Sequence, residues 1–73
     1  MLVNGVIEGK HYRVTQLRRE RDGYHYIIEP VRPPGMGVEG WMRGRMSEVS
    51  RILKRRVEEM DARAETAAAR EGV

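Results

Sequence analysis

The chain has no cysteine and no phenylalanine, and proline occurs only three times in 73 residues. Without cysteine, neither a disulfide nor a thiolate metal site can staple so short a chain, and the two histidines, His11 and His25, do not form a metal site by themselves. No apolar run approaches the roughly 18 residues of a membrane span. The opening Met1-Leu2-Val3-Asn4-Gly5 also lacks the basic stretch and long apolar core of an export signal. These absences lead us to expect a soluble protein of the reducing cytoplasm, with no membrane partner, no metal and no cofactor. Glycine is plentiful, but Gly35, Gly37, Gly40 and Gly44 are not followed by the Lys-Ser or Lys-Thr pair of a phosphate loop, so turn chemistry explains them better.

A chain of 73 residues forms one domain, and a core of that size barely offsets the entropy of ordering the backbone. Lys and Arg number 14 against 11 Asp and Glu, a net charge of +3 that permits a nucleic-acid or acidic-protein partner without requiring either. Nearly all the basic residues are arginine, whose planar fork binds carboxylate and phosphate in bidentate fashion and so suits interfaces. A GC-rich coding sequence would give the same bias.

Strand signals lie in the first half. Tyr12, Val14 and Thr15 favour a strand from Lys10 to Leu17, and Tyr24-His25-Tyr26-Ile27-Ile28-Glu29-Pro30-Val31 favours a second. Asp22-Gly23 between them is a hairpin signal, with the glycine expected to take the positive φ of a tight reversal. Pro30 marks a strand end or an edge, Pro33-Pro34-Gly35 fits a type II turn, and Val38-Glu39-Gly40-Trp41-Met42 reads as another short strand. Leu2-Val3 and Val6-Ile7, divided by Asn4-Gly5, form either a small reversal or a kinked edge strand.

The second half is helical. Met46, Val49, Ile52, Leu53, Val57, Met60 and Ala64 recur every three or four residues and fall on one stripe, with Ser47 as the expected cap and Glu48 favourable in the first turn. The helix body is expected from Ser47 to about Ala62. Beyond Ala64 no large apolar side chain remains to pin the chain down, so 65–73 is expected to be a frayed tail. The expected fold class is α+β: one domain over 1–64, in which a three- or four-stranded antiparallel sheet, with an SH3-like barrel as one option, precedes a single amphipathic C-terminal helix. Trp41 is expected in the core between sheet and helix.

No catalytic constellation emerges. His11 and His25 sit on expected strands, where hairpin pairing brings them near each other, but no carboxylate stands at a spacing that completes a site. Two basic clusters remain: Arg18, Arg19 and Arg21 at the hairpin tip, and Arg51, Lys54, Arg55 and Arg56 on the helix. Paired with the aromatics they suit nucleic acid, as phosphate grips beside stacking faces. Glu20 and Asp22 interrupt the first cluster, however, and Glu58, Glu59 and Asp61 follow the second, which leaves either a solvated charged face or a mixed-sign surface for a protein partner. The expected protein contacts are Arg18, Arg19, Arg21, Tyr24 and Tyr26, with Arg51, Lys54, Arg55 and Arg56 as phosphate contacts if nucleic acid is the partner. Self-association through an edge strand or the apolar helix stripe is a third reading.

A minimal, cysteine-free, arginine-rich chain with a short sheet, one helix and a loose tail resembles the small host-directed proteins of bacteriophages. In size and architecture it resembles RNA-polymerase-binding transcription regulators of the kind found in a Xanthomonas phage, and phage anti-CRISPR proteins share its character. The resemblance extends over the whole chain as length and general character, and it brings no functional residue with it. It implies a non-enzymatic inhibitor or regulator that docks on a host complex, RNA polymerase foremost, in the host cytoplasm.

Overall fold

The computed structural model describes residues 7–32, 35 and 37–71. Among these residues three strands, β1 (Tyr12–Glu20), β2 (Gly23–Pro30) and β3 (Val38–Arg43), precede one helix, α1 (Met46–Glu71). The strands form an antiparallel meander in the order β1-β2-β3, with β2 in the centre. The expected α+β arrangement of a small antiparallel sheet followed by a C-terminal helix is the fold observed. The readings made on Leu2 to Val6, and on Pro33 and Pro34, lie outside the described residues.

The hairpin between β1 and β2 closes on a two-residue turn, Arg21-Asp22, since Glu20 pairs with Gly23. The positive φ expected at the glycine is carried instead by Arg21, at 58°. Gly23 is already the first residue of β2, and its missing side chain serves a different purpose: a Cβ there would meet Cζ2 of Trp41 at 2.6 Å. The register then shifts between Val14 and Gln16, leaving Thr15 as an extra residue in β1. Such a bulge re-aims the side chains that follow it. Because of it, Val14 and Leu17 both face α1 although three positions separate them, whereas simple alternation would have placed them on opposite faces.

The core is built from Val14, Leu17, Tyr26, Ile28, Val49, Leu53 and Val57, with Ile7, Tyr12, Tyr24, Met42 and Met60 packed around it. Fully burying a Val, Leu or Ile side chain contributes about 1.5–3 kcal/mol, so this small set carries most of the stability available. Helix α1 lies mainly over β1 and β2. Of the expected apolar stripe, Val49, Leu53 and Val57 are buried, while Met46 and Ile52 remain 38 % and 45 % exposed.

The start of α1 differs from expectation. Its first intrahelical bond runs from the Val49 N–H to the Arg45 carbonyl at 2.9 Å, which makes Arg45 the cap residue and places Ser47 inside the first turn. Gly44, at φ 138°, turns the chain from β3 into the helix, a conformation open to glycine and strained for other residues. At the other end α1 continues through Glu71 and is 26 residues long, about 39 Å. From Glu65 to Arg70 every described side chain is exposed, the condition under which a helix end frays.

The helix is also tied to the chain where it enters β1. Asp61 accepts hydrogen bonds from three successive backbone N–H groups, Lys10 at 2.6 Å and His11 and Tyr12 at 3.0 Å each. One turn further on, Glu65 pairs with Lys10 and with Nε2 of His11, both at 2.9 Å. The same contacts hold the Glu65 carboxyl below its ordinary value and raise the Lys10 ammonium, chiefly through their mutual hydrogen bond.

Candidate functional site

The sheet places the expected contact residues on different faces. Opposed residues of an antiparallel pair point to the same side, so Arg18, opposite His25, lies on the face away from α1, while Arg19, opposite Tyr24, lies on the helix side. Arg18 is held by Glu20 at 2.8 Å. Tyr26, expected among the contacts, is a core residue only 6 % exposed, and its hydroxyl accepts a hydrogen bond from Arg56 at 2.7 Å. Tyr24 is half-buried at the margin of the core. Arg18, Arg19, Arg21, Tyr24 and Tyr26 therefore do not form one surface. The set divides because the bulge at Thr15 and the two-residue turn fix which of these residues face the helix.

Two of them, Arg19 and Tyr24, meet residues from elsewhere in the chain. Arg19 and Tyr24 from the hairpin, Asp22 from its turn, and Arg43, Gly44, Arg45, Met46 and Glu48 from the junction of β3 with α1 line one groove of about 390 Å³. The Gly44 N–H donates to the Asp22 carbonyl at 3.1 Å, which fixes the junction against the hairpin turn. Asp22 is neutralised by Arg43, whose Nε lies 2.8 Å from it. Among the described residues Arg19 and Arg45 have no ion-pair partner, nor does Arg21 on the turn beside them. The N–H groups of Met46, Ser47 and Glu48 precede the first intrahelical bond, so the positive end of the helix dipole adds to the arginines at the lip of the groove. Half-buried Tyr24 and part-exposed Met46 supply apolar area beside these charges. Arg45 had no place among the expected contacts. Its signal in the sequence was the Arg43-Gly44-Arg45 run between the last strand and the helix.

The helical basic cluster divides as well. Arg51, Lys54 and Arg55 are exposed, whereas Arg56 turns inward onto Tyr26, its guanidinium carbon 5.8 Å from the ring centroid. Trp41 is not a core residue joining sheet to helix. It is 44 % exposed on the face away from α1, where its ring lies over Gly23 and its Nε1 donates to the Glu20 carbonyl at 3.3 Å. The histidines stand well apart: His11 is bonded to Val31 before β1 begins, while His25 stands opposite Arg18 and Trp41 and its Nε2 lies 2.7 Å from Glu39. Among the described residues no group of three or more His, Asp or Glu side chains is placed to hold a metal ion, and no helix is long and apolar enough to cross a membrane.

Comparison of the chain with protein-family models, with curated proteins and with solved structures returns no match in any of the three.

Proposed function

We propose that this protein is a non-enzymatic docking module that binds an acidic surface of a larger protein complex through the groove between the hairpin tip and the start of α1. The observation that carries the reading is the convergence of Arg19 and Arg45, neither of them ion-paired among the described residues, on one concave surface with Tyr24, Met46 and a helix N-terminus. Three arginines against Asp22 and Glu48 make the groove only modestly positive. Such a surface is better matched to carboxylates presented among apolar groups than to a continuous polyanion. A protein of this size acts on a larger machine by occupying a surface that another partner needs or by stabilising one of its conformations. RNA polymerase of a bacterial host is the complex that the phage resemblance names.

The test is capture from a nuclease-treated bacterial lysate by the tagged wild-type chain and by the double variant Arg19→Glu/Arg45→Glu, with the bound proteins identified by mass spectrometry. One defined complex retained by the wild type and lost by the variant supports the reading. Equal retention by both removes the groove from it. The exposed arginines and lysine of the outer helix face, Arg51, Lys54 and Arg55, favour a second reading in nucleic-acid binding. That reading requires retention of nucleic acid without nuclease, falling steeply with salt.

A further inference from the structure

The outer edge of β3 has no neighbour among the described residues, since the sheet order leaves β2 as its one partner. Two backbone hydrogen bonds reveal which groups of that edge are unused. Gly44 donates to Asp22, extending the β2–β3 register by one pair, so Gly44 and, by alternation, Met42, Gly40 and Val38 direct their N–H and C=O groups toward β2. On the other side of β2, Val31 donates to His11, so the odd-numbered residues at that end of β2 face β1 and Ile28 faces β3. Both bonds give the same alternation. The N–H and C=O groups of Glu39, Trp41 and Arg43 therefore point outward, an unpaired template.

Edges are ordinarily protected by charged side chains, lysine above all, by proline or by a covering element. β3 contains neither lysine nor proline, its Val38 and Trp41 are 46 % and 44 % exposed, and α1 packs mainly over the other two strands. Its charges are arranged about a centre: on the face away from the helix the order is Glu39, Trp41, Arg43, with opposite charges two residues to either side of the tryptophan.

We propose that β3 is a self-association edge on which a second copy of this chain pairs antiparallel about Trp41, joining the two sheets into one. With a twofold axis at Trp41, Glu39 of each copy stands opposite Arg43 of the other, so the ion pair forms twice, and the outward N–H and C=O groups of Glu39, Trp41 and Arg43 are all matched. Centring the pair on Gly40 instead puts Glu39 opposite Trp41 and loses both ion pairs. Centring it between residues is excluded because opposed side chains would point to different faces. Existing contacts leave room for the pairing. Arg43 holds Asp22 through Nε, so its terminal nitrogens can take a second acceptor, and Glu39 meets His25 through Oε2, so Oε1 remains. The ring of Trp41 leans back over Gly23, away from the edge. An interface of one short strand from each copy is small, so the association is reversible and depends on concentration.

The decisive experiment is sedimentation velocity from low micromolar to near-millimolar protein, on the wild type, on Glu39→Arg, on Arg43→Glu, and on an equimolar mixture of the two variants. Each variant alone opposes like charges at both positions, whereas the mixture restores two opposite pairs without further change to either chain. The expected result is a monomer–dimer equilibrium for the wild type, monomer for each variant alone, and dimer for the mixture. A wild type that stays monomeric throughout, variants that associate as the wild type does, or a mixture that stays monomeric overturns the proposal. Trp41→Cys, in a chain without other cysteine, gives an independent reading, because hydrogen-bonded partners in an antiparallel ladder lie about 5.5 Å apart, within disulfide reach. Mild oxidation is expected to give a covalent dimer with Trp41→Cys and not with Arg55→Cys, and equal cross-linking of the two contradicts it.

Discussion

The side chain of Tyr26 lies across Gly40, its partner in β3, with its hydroxyl 2.5 Å from where a Cβ of Gly40 would stand. From there the hydroxyl accepts the 2.7 Å hydrogen bond from Arg56. One residue thus joins the central strand, an edge strand and the helix. On the opposite face Trp41 covers Gly23 in the same manner, so the β2–β3 pair is held by an aromatic over a glycine on each side.

Adding a methyl group at Gly40 forces Tyr26 off its seat, and Gly40→Ala is expected to cost about 1–3 kcal/mol, the range of overpacked cores. Tyr26→Phe keeps the ring and loses one hydrogen bond, about 0.5–1.5 kcal/mol. Urea denaturation of both variants, with Arg56→Ala and the Tyr26→Phe/Arg56→Ala double variant, checks the values. Strict additivity in that cycle contradicts a Tyr26–Arg56 bond.

Ile52 and Leu53 are adjacent in sequence and opposite in environment, 45 % and 0 % exposed. Leu53→Ala is expected to cost about 2–5 kcal/mol, and Ile52→Ala about 1 kcal/mol or less, because little of its surface leaves water. Equal costs would mean that α1 is rotated about its axis.

The fold was legible where a residue's own chemistry decides its place. The stripe of Val49, Leu53 and Val57 and the β-prone run around Tyr26 led to the helix and the central strand. The positions of single side chains were less legible, because they depend on partners distant in sequence. The bulge at Thr15 has no local marker, yet it decides which β1 residues meet the helix. Trp41 is expected in the core because so short a domain ordinarily uses its one tryptophan to join sheet to helix. Gly23 opens a seat for it on the far face, and only the β2–β3 register reveals that seat. The groove was half legible: the hairpin arginines stood out as a cluster, but Arg45 joins them only because Gly44 bends the chain against Asp22.

Asp61 accepts hydrogen bonds from three backbone N–H groups where the chain enters β1. Asp61→Ala leaves them to water and is expected to cost about 1.5–3 kcal/mol, as for hydrogen bonds to a charged group. Amide exchange at Lys10, His11 and Tyr12 should accelerate far more than at Ile28, a difference that heteronuclear NMR resolves. Uniform acceleration would make the effect global and contradict a local clamp.

The Glu65 contacts give a pH dependence. The carboxyl of Glu65 lies below its ordinary 4.5 in the folded chain, so its contribution is present above that pH and is lost as pH falls through the folded value. The Lys10 ammonium lies above its ordinary 10.5, so its contribution is present below that pH and is lost as pH rises through the folded value. Both groups are exposed, and the effect is small. The difference in melting temperature between wild type and Glu65→Gln should be greatest between these limits and should close toward acid. A difference that persists unchanged in acid contradicts the assignment.

Docking through the Arg19–Arg45 groove is tested by the affinity of the captured complex for three chains. These are the wild type, Arg19→Glu/Arg45→Glu, and the outer-helix variant Arg51→Glu/Lys54→Glu/Arg55→Glu, each shown to be folded by circular dichroism. The groove variant is expected to lose about tenfold or more in affinity, as buried charge contacts do when reversed, with the outer-helix variant close to wild type. Wild-type affinity in the groove variant, or a loss confined to the outer-helix variant, contradicts it.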